Sequence, residues 1–233
     1  VSVRAALANR QLGHVFAPVW QAQSGALFGF EASPRFLDGT TPAEAFAVAR
    51  ETGDLAAFGE LSLLSALRVS WNLPGRLLLR VDPTPDFTCA LPNGAMLRRS
   101  GAIVAELQVS AHLQAGALRH TADALRRQGV SIALSGQDVQ ALARAFEDLR
   151  PDIVKVGPQQ WSQGEDDALG LIGMTHDAQA LVLCSGIDGP GQIGRLATLG
   201  CDLVEGRHIG RPAPADAWTP ARIGLSWPPE ASR

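Results

Sequence analysis

Val130-Ser131-Ile132-Ala133-Leu134, the run from Val139 to Asp148, and Ile153-Val154-Lys155-Val156 read as a strand, a helix and a second strand in succession. The two apolar runs lack period-two alternation, as strands do when both faces are covered. Asp138 stands just before the helical run, where a short carboxylate side chain caps free backbone N–H groups. Further short apolar runs, His14 to Trp20, Leu77 to Val81, Ile103 to Leu107 and Leu181 to Cys184, read the same way. Between them the spacing predicts helices. Pro42 to Glu51 follows Thr41 as N-cap, with Pro42 at the first helical position. Leu55 to Leu73 and Ala115 to Gln128 are amphipathic, and Gly129 stops the latter. Gln192 to Leu199 ends at Gly200. Such β-then-α repetition suits an open doubly wound sheet or a closed barrel, and periodicity does not choose between them.

The chain has 233 residues, 46% of them apolar, enough for one large barrel or two small domains with a sizeable core. A formal charge of -3 with scattered arginines argues against a nucleic-acid partner. Cys89, Cys184 and Cys201 are far apart and odd in number, with no zinc-ligand spacing. They read as buried reduced thiols, which suits a cytoplasmic location. No apolar run approaches the roughly 18 residues of a membrane span, and no signal peptide is visible. The first residue, Val1, suggests a domain of a longer chain.

Eight segments in order resemble the EAL domains, bacterial cyclic di-GMP phosphodiesterases. They are Phe16-Ala17-Pro18-Val19, Glu31-Ala32-Ser33-Pro34-Arg35-Phe36, Thr41 to Phe46 running on to Glu51-Thr52-Gly53, and Asp152-Ile153-Val154-Lys155-Val156. Then come Gly186-Ile187-Asp188, Leu199-Gly200-Cys201-Asp202, Gly206, and Gly210-Arg211-Pro212. The resemblance implies an α/β barrel of the TIM type, with its site at the C-terminal ends of the strands. It also implies two divalent cations, magnesium or manganese, that activate water for phosphodiester hydrolysis. On this reading residues 1–12 are a lead-in, 13–214 the barrel and 215–233 a C-terminal extension, packed by Trp218 and Trp227.

Carried over position by position, Glu31, Glu106 and Lys155 stand at retained site positions. Arg35 and Pro212 stand at positions that contact ligand. The remaining metal positions have changed. Arg80 replaces an asparagine, Ser135 and Gly136 replace paired aspartates, Gly157 another aspartate and Ser185 a glutamate, with Asp188 left of its pair. Gln108-Val109 stands where Thr-Glu normally follows Glu106, Ala17 and Ser33 replace a glutamine and a leucine, and Glu205 replaces a glutamine before Gly206. The expectation is that no metal or other cofactor binds and that the chain is not an enzyme. Arg80 and Lys155 are expected to pair with Glu31 and Glu106 in the vacated site, since unpaired carboxylates in a half-dry pocket repel one another by about 4 kcal/mol at close range.

The resulting functional expectation is a regulatory domain in cyclic di-GMP signalling that acts through protein partners or fused signalling domains. The alternative is a metal-independent cyclic di-GMP receptor, and behind it an active phosphodiesterase. The family's pairing of barrels makes a homodimer the expected assembly. Asp138 is read as an N-cap in preference to a displaced aspartate ligand. Gly189-Pro190-Gly191-Gln192-Ile193-Gly194 fits a dinucleotide-binding pattern but stands too near the end of the chain, and the start of a helix is the preferred reading. His14, His112, His120, His176 and His208 have no ligand-like spacing.

Overall fold

The structure is a computed structural model that describes residues 3–88, 91, 103–110, 113, 116–189 and 191–226. The readings placed on Cys89, His112 and Trp227 lie outside the described residues. In chain order the elements are α1 (Val3–Asn9), β1 (Gly13–Gln21), β2 (Leu27–Arg35), α2 (Pro42–Glu51), α3 (Leu55–Val69), β3 (Arg76–Val81), β4 (Ile103–Val109), α4 (Ala117–Arg126) and β5 (Ser131–Gly136). They continue as α5 (Val139–Leu149), β6 (Ile153–Val156), α6 (Pro158–Gln163), α7 (Glu165–Asp177), β7 (Leu181–Cys184), α8 (Gln192–Thr198), β8 (Leu203–Val204), a 3-10 turn at Ala215–Ala217 and α9 (Pro220–Ser226).

The eight strands close into a barrel in sequence order. β1 runs antiparallel to both β2 and β8, and every other neighbouring pair is parallel. The open-sheet alternative is thereby excluded. β2 and β8 are the strands that apolar runs did not reveal: Gly29, Glu31, Ser33 and Pro34 interrupt the first, and the second is two residues long. Gly29 is required where β2 meets β3, because a Cβ there would strike the Arg76 backbone.

Side chains alternate across a strand, and this alternation builds two inward layers. Val19, Leu78, Val104, Ala133, Ile153, Leu183 and Leu203 form one apolar cluster inside the barrel. Two residues further along, the inward positions are Arg80, Glu106, Ser135, Lys155, Ser185 and Glu205. The barrel therefore has an apolar floor and a polar mouth at the C-terminal strand ends. The outer strand faces carry Phe16, Phe30, Leu77, Leu107, Ile132 and Val182, which pack under the helices. A separate cluster joins α1, α2 and α3 through Phe36, Phe46 and Phe58, the last two edge to face at 5.0 Å.

The helix signals act as read. Thr41 caps α2 in a capping box with Glu44, and the Asp138 carboxylate accepts from Ala141 N at 2.6 Å. α8 starts at Gln192, whose side-chain oxygen accepts from Asp188 N and Gly189 N, 2.9 Å each. Past the barrel, Phe16 and Ala213 exchange backbone hydrogen bonds at 2.7 and 3.1 Å. Trp218 donates its indole N–H to the Phe16 carbonyl at 2.8 Å and packs on Phe30.

The cysteine reading needs correction. Cys184 and Cys201 form a disulfide between the end of β7 and the entry to β8, both buried. Parallel neighbouring strands bring residues that are distant in sequence to a Cα separation of 5.9 Å. These cysteines therefore no longer argue for a reducing compartment. No helix among the described residues is long and apolar enough to cross a membrane.

Candidate functional site

Lys155 sits on β6 with its side chain directed into the mouth, where carboxylates from three other strand ends converge on it. Its ammonium pairs with Glu31 from β2, with Glu106 Oε2 from β4 at 3.2 Å, and with Glu205 Oε1, just after β8, at 2.7 Å. The cluster is largely out of water: side-chain exposures are 13% for Lys155, 22% for Glu31 and 9% for each of the other two glutamates. Glu205 Oε2 is buried and has no hydrogen-bond partner by distance and angle.

Three carboxylates against one ammonium leave excess negative charge, and the titration behaviour reflects it. Burial, then the neighbouring charge of Glu205, raises the Glu31 pKa to about 7, and the ammonium of Lys155 only partly opposes this. Burial alone would lower the Lys155 pKa, but Glu106, Glu205 and Glu31 outweigh it and hold the ammonium charged, well above its ordinary value.

The surrounding positions are built by close backbone approach. A Cβ on Gly206 would strike the Ile187 backbone, so glycine there lets the chain after Glu205 lie against that loop. At Gly136 a Cβ would stand 2.8 Å from the Val109 carbonyl oxygen, so a carboxylate-bearing residue has no room there without a backbone shift. At Gly157 a Cβ would stand 2.9 Å from Ser185 Oγ. Ser135 Oγ donates to Gln108 Oε1 at 3.4 Å. Gln160, unremarked in the sequence reading, is 2% exposed and ties two strand ends together. It accepts from Gly157 N at 2.7 Å and donates to the Gly136 carbonyl at 2.6 Å.

Several expected residues lie elsewhere. Arg80 does not pair with Glu31 or Glu106. Its guanidinium donates to Asp82 at 2.8 and 3.2 Å and covers the Phe46 ring at 4.4 Å, while Asp82 also holds Arg50 at 2.7 Å. The physical reason is local: Asp82 is two residues on, on the same side of the chain, and buried. Sequence reasoning passed over Asp82, although an acid at i+2 from an inward arginine is a readable signal. Asp188 is exposed, and its hydrogen bond from Arg207 holds its carboxyl below the usual range. Asp188 and Pro212 line a cavity of about 720 Å³ with Arg207, His208 and Arg211. Arg35 lines a different cavity, with Arg10, His14 and Arg68. The structure thus brings together Glu31, Glu106, Lys155 and Glu205, and leaves Arg35, Arg80, Asp188 and Pro212 out of their contacts.

Magnesium or manganese, implied by the resemblance, would need several hard oxygen ligands with an open point of convergence. Here the Lys155 ammonium occupies that point, and no group of three or more metal-ligating side chains forms among the described residues. The residues as arranged do not fit a divalent ion.

The sequence model of the EAL domain family matches residues 1–212. A curated relative, an uncharacterized signaling protein of Caulobacter vibrioides, is 27% identical over 243 aligned positions covering 94% of this chain. The alignment spans only 30% of that relative's length. Among solved structures, the PaMucR phosphodiesterase in complex with c-di-GMP matches with a TM-score of 0.70 at 21% identity, covering 92% of this chain and 97% of its own. BlrP1 of Klebsiella pneumoniae, in a manganese and cyclic di-GMP complex, matches with a TM-score of 0.72 at 19% identity, covering 87% and 56%. These matches bear out the barrel. They overturn the expectation that the chain is not an enzyme: residues 1–212 fit the family, and a matching structure is named as a phosphodiesterase. Changed ligand positions do not remove the chain from the match to that family model.

Proposed function

Since the chain belongs to the EAL domain family and so to cyclic di-GMP signalling, we propose that it works there through contacts with other proteins, its barrel mouth holding itself closed by internal ion pairs. The observation that carries this reading is Lys155, the one cation of the cluster, already engaged by Glu31, Glu106 and Glu205. A dianionic dinucleotide must compete with three carboxylates for that ammonium and must enter excess negative charge. Removing one carboxylate, or protonating it, opens the mouth to the ligand.

A second reading, uptake of cyclic di-GMP without a metal ion, is favoured by the depression formed by Asp188, Arg207, His208, Arg211 and Pro212. Its guanidiniums lie on the strand-end side of the barrel and suit phosphodiester oxygens, with Asp188 already holding Arg207 at 3.1 Å.

The test is calorimetric titration with cyclic di-GMP, with manganese and with chelator, at pH above and below the Glu31 transition near 7. Hydrolysis is followed chromatographically in the same samples, because one matching structure, the PaMucR phosphodiesterase, carries that activity in its name. The protein-contact reading expects weak binding at the higher pH, strengthened at the lower pH and by Glu205→Gln. Tight binding that ignores both pH and that substitution overturns it and promotes the receptor reading.

A further inference from the structure

One flank of the barrel carries three guanidiniums that no carboxylate neutralises among the described residues. Arg10 follows α1, Arg35 ends β2 and Arg68 lies in the last turn of α3, and all three line one cavity of about 600 Å³. None of the three guanidiniums has a side-chain hydrogen bond or an ion pair among the described residues. The nearby acid Asp38 turns its carboxylate to the backbone and hydroxyl of Thr40. Arg10 takes a left-handed φ of 51°, a conformation that favours glycine.

The same cavity is apolar between its charges. Leu37 and Val69 line it, 84% and 42% exposed, and Trp71, two residues beyond Val69, is 79% exposed. These are three of the four large hydrophobic residues left exposed among the described residues. His14, 8% exposed, also lines the cavity. Its Nε2 bonds Ser62 Oγ at 3.2 Å, and its buried Nδ1 has no partner. Arginine and tryptophan beside apolar groups are the residue types that dominate the energetics of protein interfaces.

Building on the protein-contact reading above, we infer that this cavity docks an acidic segment of a partner protein, one that alternates carboxylates with leucine- or phenylalanine-like side chains. The carboxylates meet Arg10, Arg35 and Arg68, and the apolar groups cover Leu37 and Val69. A purely ionic partner would leave those apolar side chains wet, and a purely apolar one would desolvate three unpaired guanidiniums.

The probe is a fluorescein-labelled peptide alternating Glu with Leu and Phe, read by anisotropy against the 233-residue chain, beside a peptide with every Glu replaced by Lys. The acidic peptide binds, loses affinity with added salt, and weakens about tenfold or more in R10E/R68E. The milder Arg68→Gln weakens it in the same direction, and unchanged thermal melting of both variants excludes misfolding. Equal binding of the lysine peptide, or no response to either variant, overturns the inference. So does displacement of the acidic peptide by cyclic di-GMP, which places its site at the mouth, or a dimer that R10E/R68E disperses, which makes a second copy the occupant. If the peptide fails while the dinucleotide still responds to pH and to Glu205→Gln, the docking site falls and the closed mouth stands.

Discussion

Glu205 Oε1 lies 2.7 Å from Lys155 Nζ, while its second oxygen, Oε2, is buried without a partner. A carboxylate held this way is half satisfied, and its stability depends on the ammonium beside it. Lys155→Met removes the one positive charge facing Glu31, Glu106 and Glu205. Breaking a buried pair from one side typically destabilises by about 3–5 kcal/mol. Chemical denaturation at pH 8 should show a loss of that order, shrinking at acid pH as the carboxyls take up protons. A loss that does not change with pH would separate Lys155 from the titration of its neighbours.

The folded pKa of Glu31, about 7, lies above its ordinary value of 4.5. A folded state that binds the proton more tightly gains stability at low pH, so this contribution is full below about 4.5 and lost as pH rises through about 7. Glu31→Gln should flatten that part of the stability curve. Glu205→Gln should move the Glu31 transition downward, because the charge of Glu205 is the second cause of the shift. Carboxyl carbon shifts followed by NMR read it directly.

His14 works in the opposite sense. Burial lowers its pKa from 6.5 to about 4, against a weaker interaction with the Leu12 backbone. Its contribution is present above 6.5 and lost as pH falls through about 4. The two windows overlap, so the wild-type curve stays shallow where the slopes cancel. His14→Gln should expose the Glu31 slope, and denaturant midpoints across this range measure it.

Cys184 and Cys201 close a loop of sequence separation 17. A crosslink over a loop of this size contributes about 3 kcal/mol, chiefly by restricting the unfolded chain. Denaturation with and without reductant should differ by that order, and a Cys184→Ala, Cys201→Ala double variant should not respond to reductant.

Gly206→Ala places a methyl group against the Ile187 backbone. Overpacking of this kind costs about 1–3 kcal/mol, and here it displaces the residue following Glu205. The variant should melt earlier and shift the Glu31 transition as well. An unchanged transition with lowered stability would show that Glu205 keeps its place.

The strand and helix rhythm was readable because β3 to β7 are apolar runs and Thr41, Asp138 and Gly200 punctuate the helices by local chemistry. β2 was readable only through the family resemblance at Glu31, since Gly29 and Pro34 mask its strand character. In the site, Glu31, Glu106 and Lys155 could be named from sequence, but their mutual contact is a product of barrel closure. Glu205 was noted as a change of charge and not as a partner of Lys155. Arg80 was misassigned because the resemblance gives its position in the site and not where a long side chain ends, and Asp82 decides that. The disulfide was invisible because pairing Cys184 with Cys201 depends on β7 and β8 lying side by side.

The bonds joining Phe16 to Ala213 and Trp218 tie the first strand to residues near the other end of the fold, 202 positions apart in the case of Trp218. During synthesis β1 emerges early and can pair with β2, but its other edge waits for β8 and then Ala213 to leave the ribosome. A nascent chain stalled before Leu203 therefore carries an unclosed ring with an open strand edge, the state in which it most needs a chaperone.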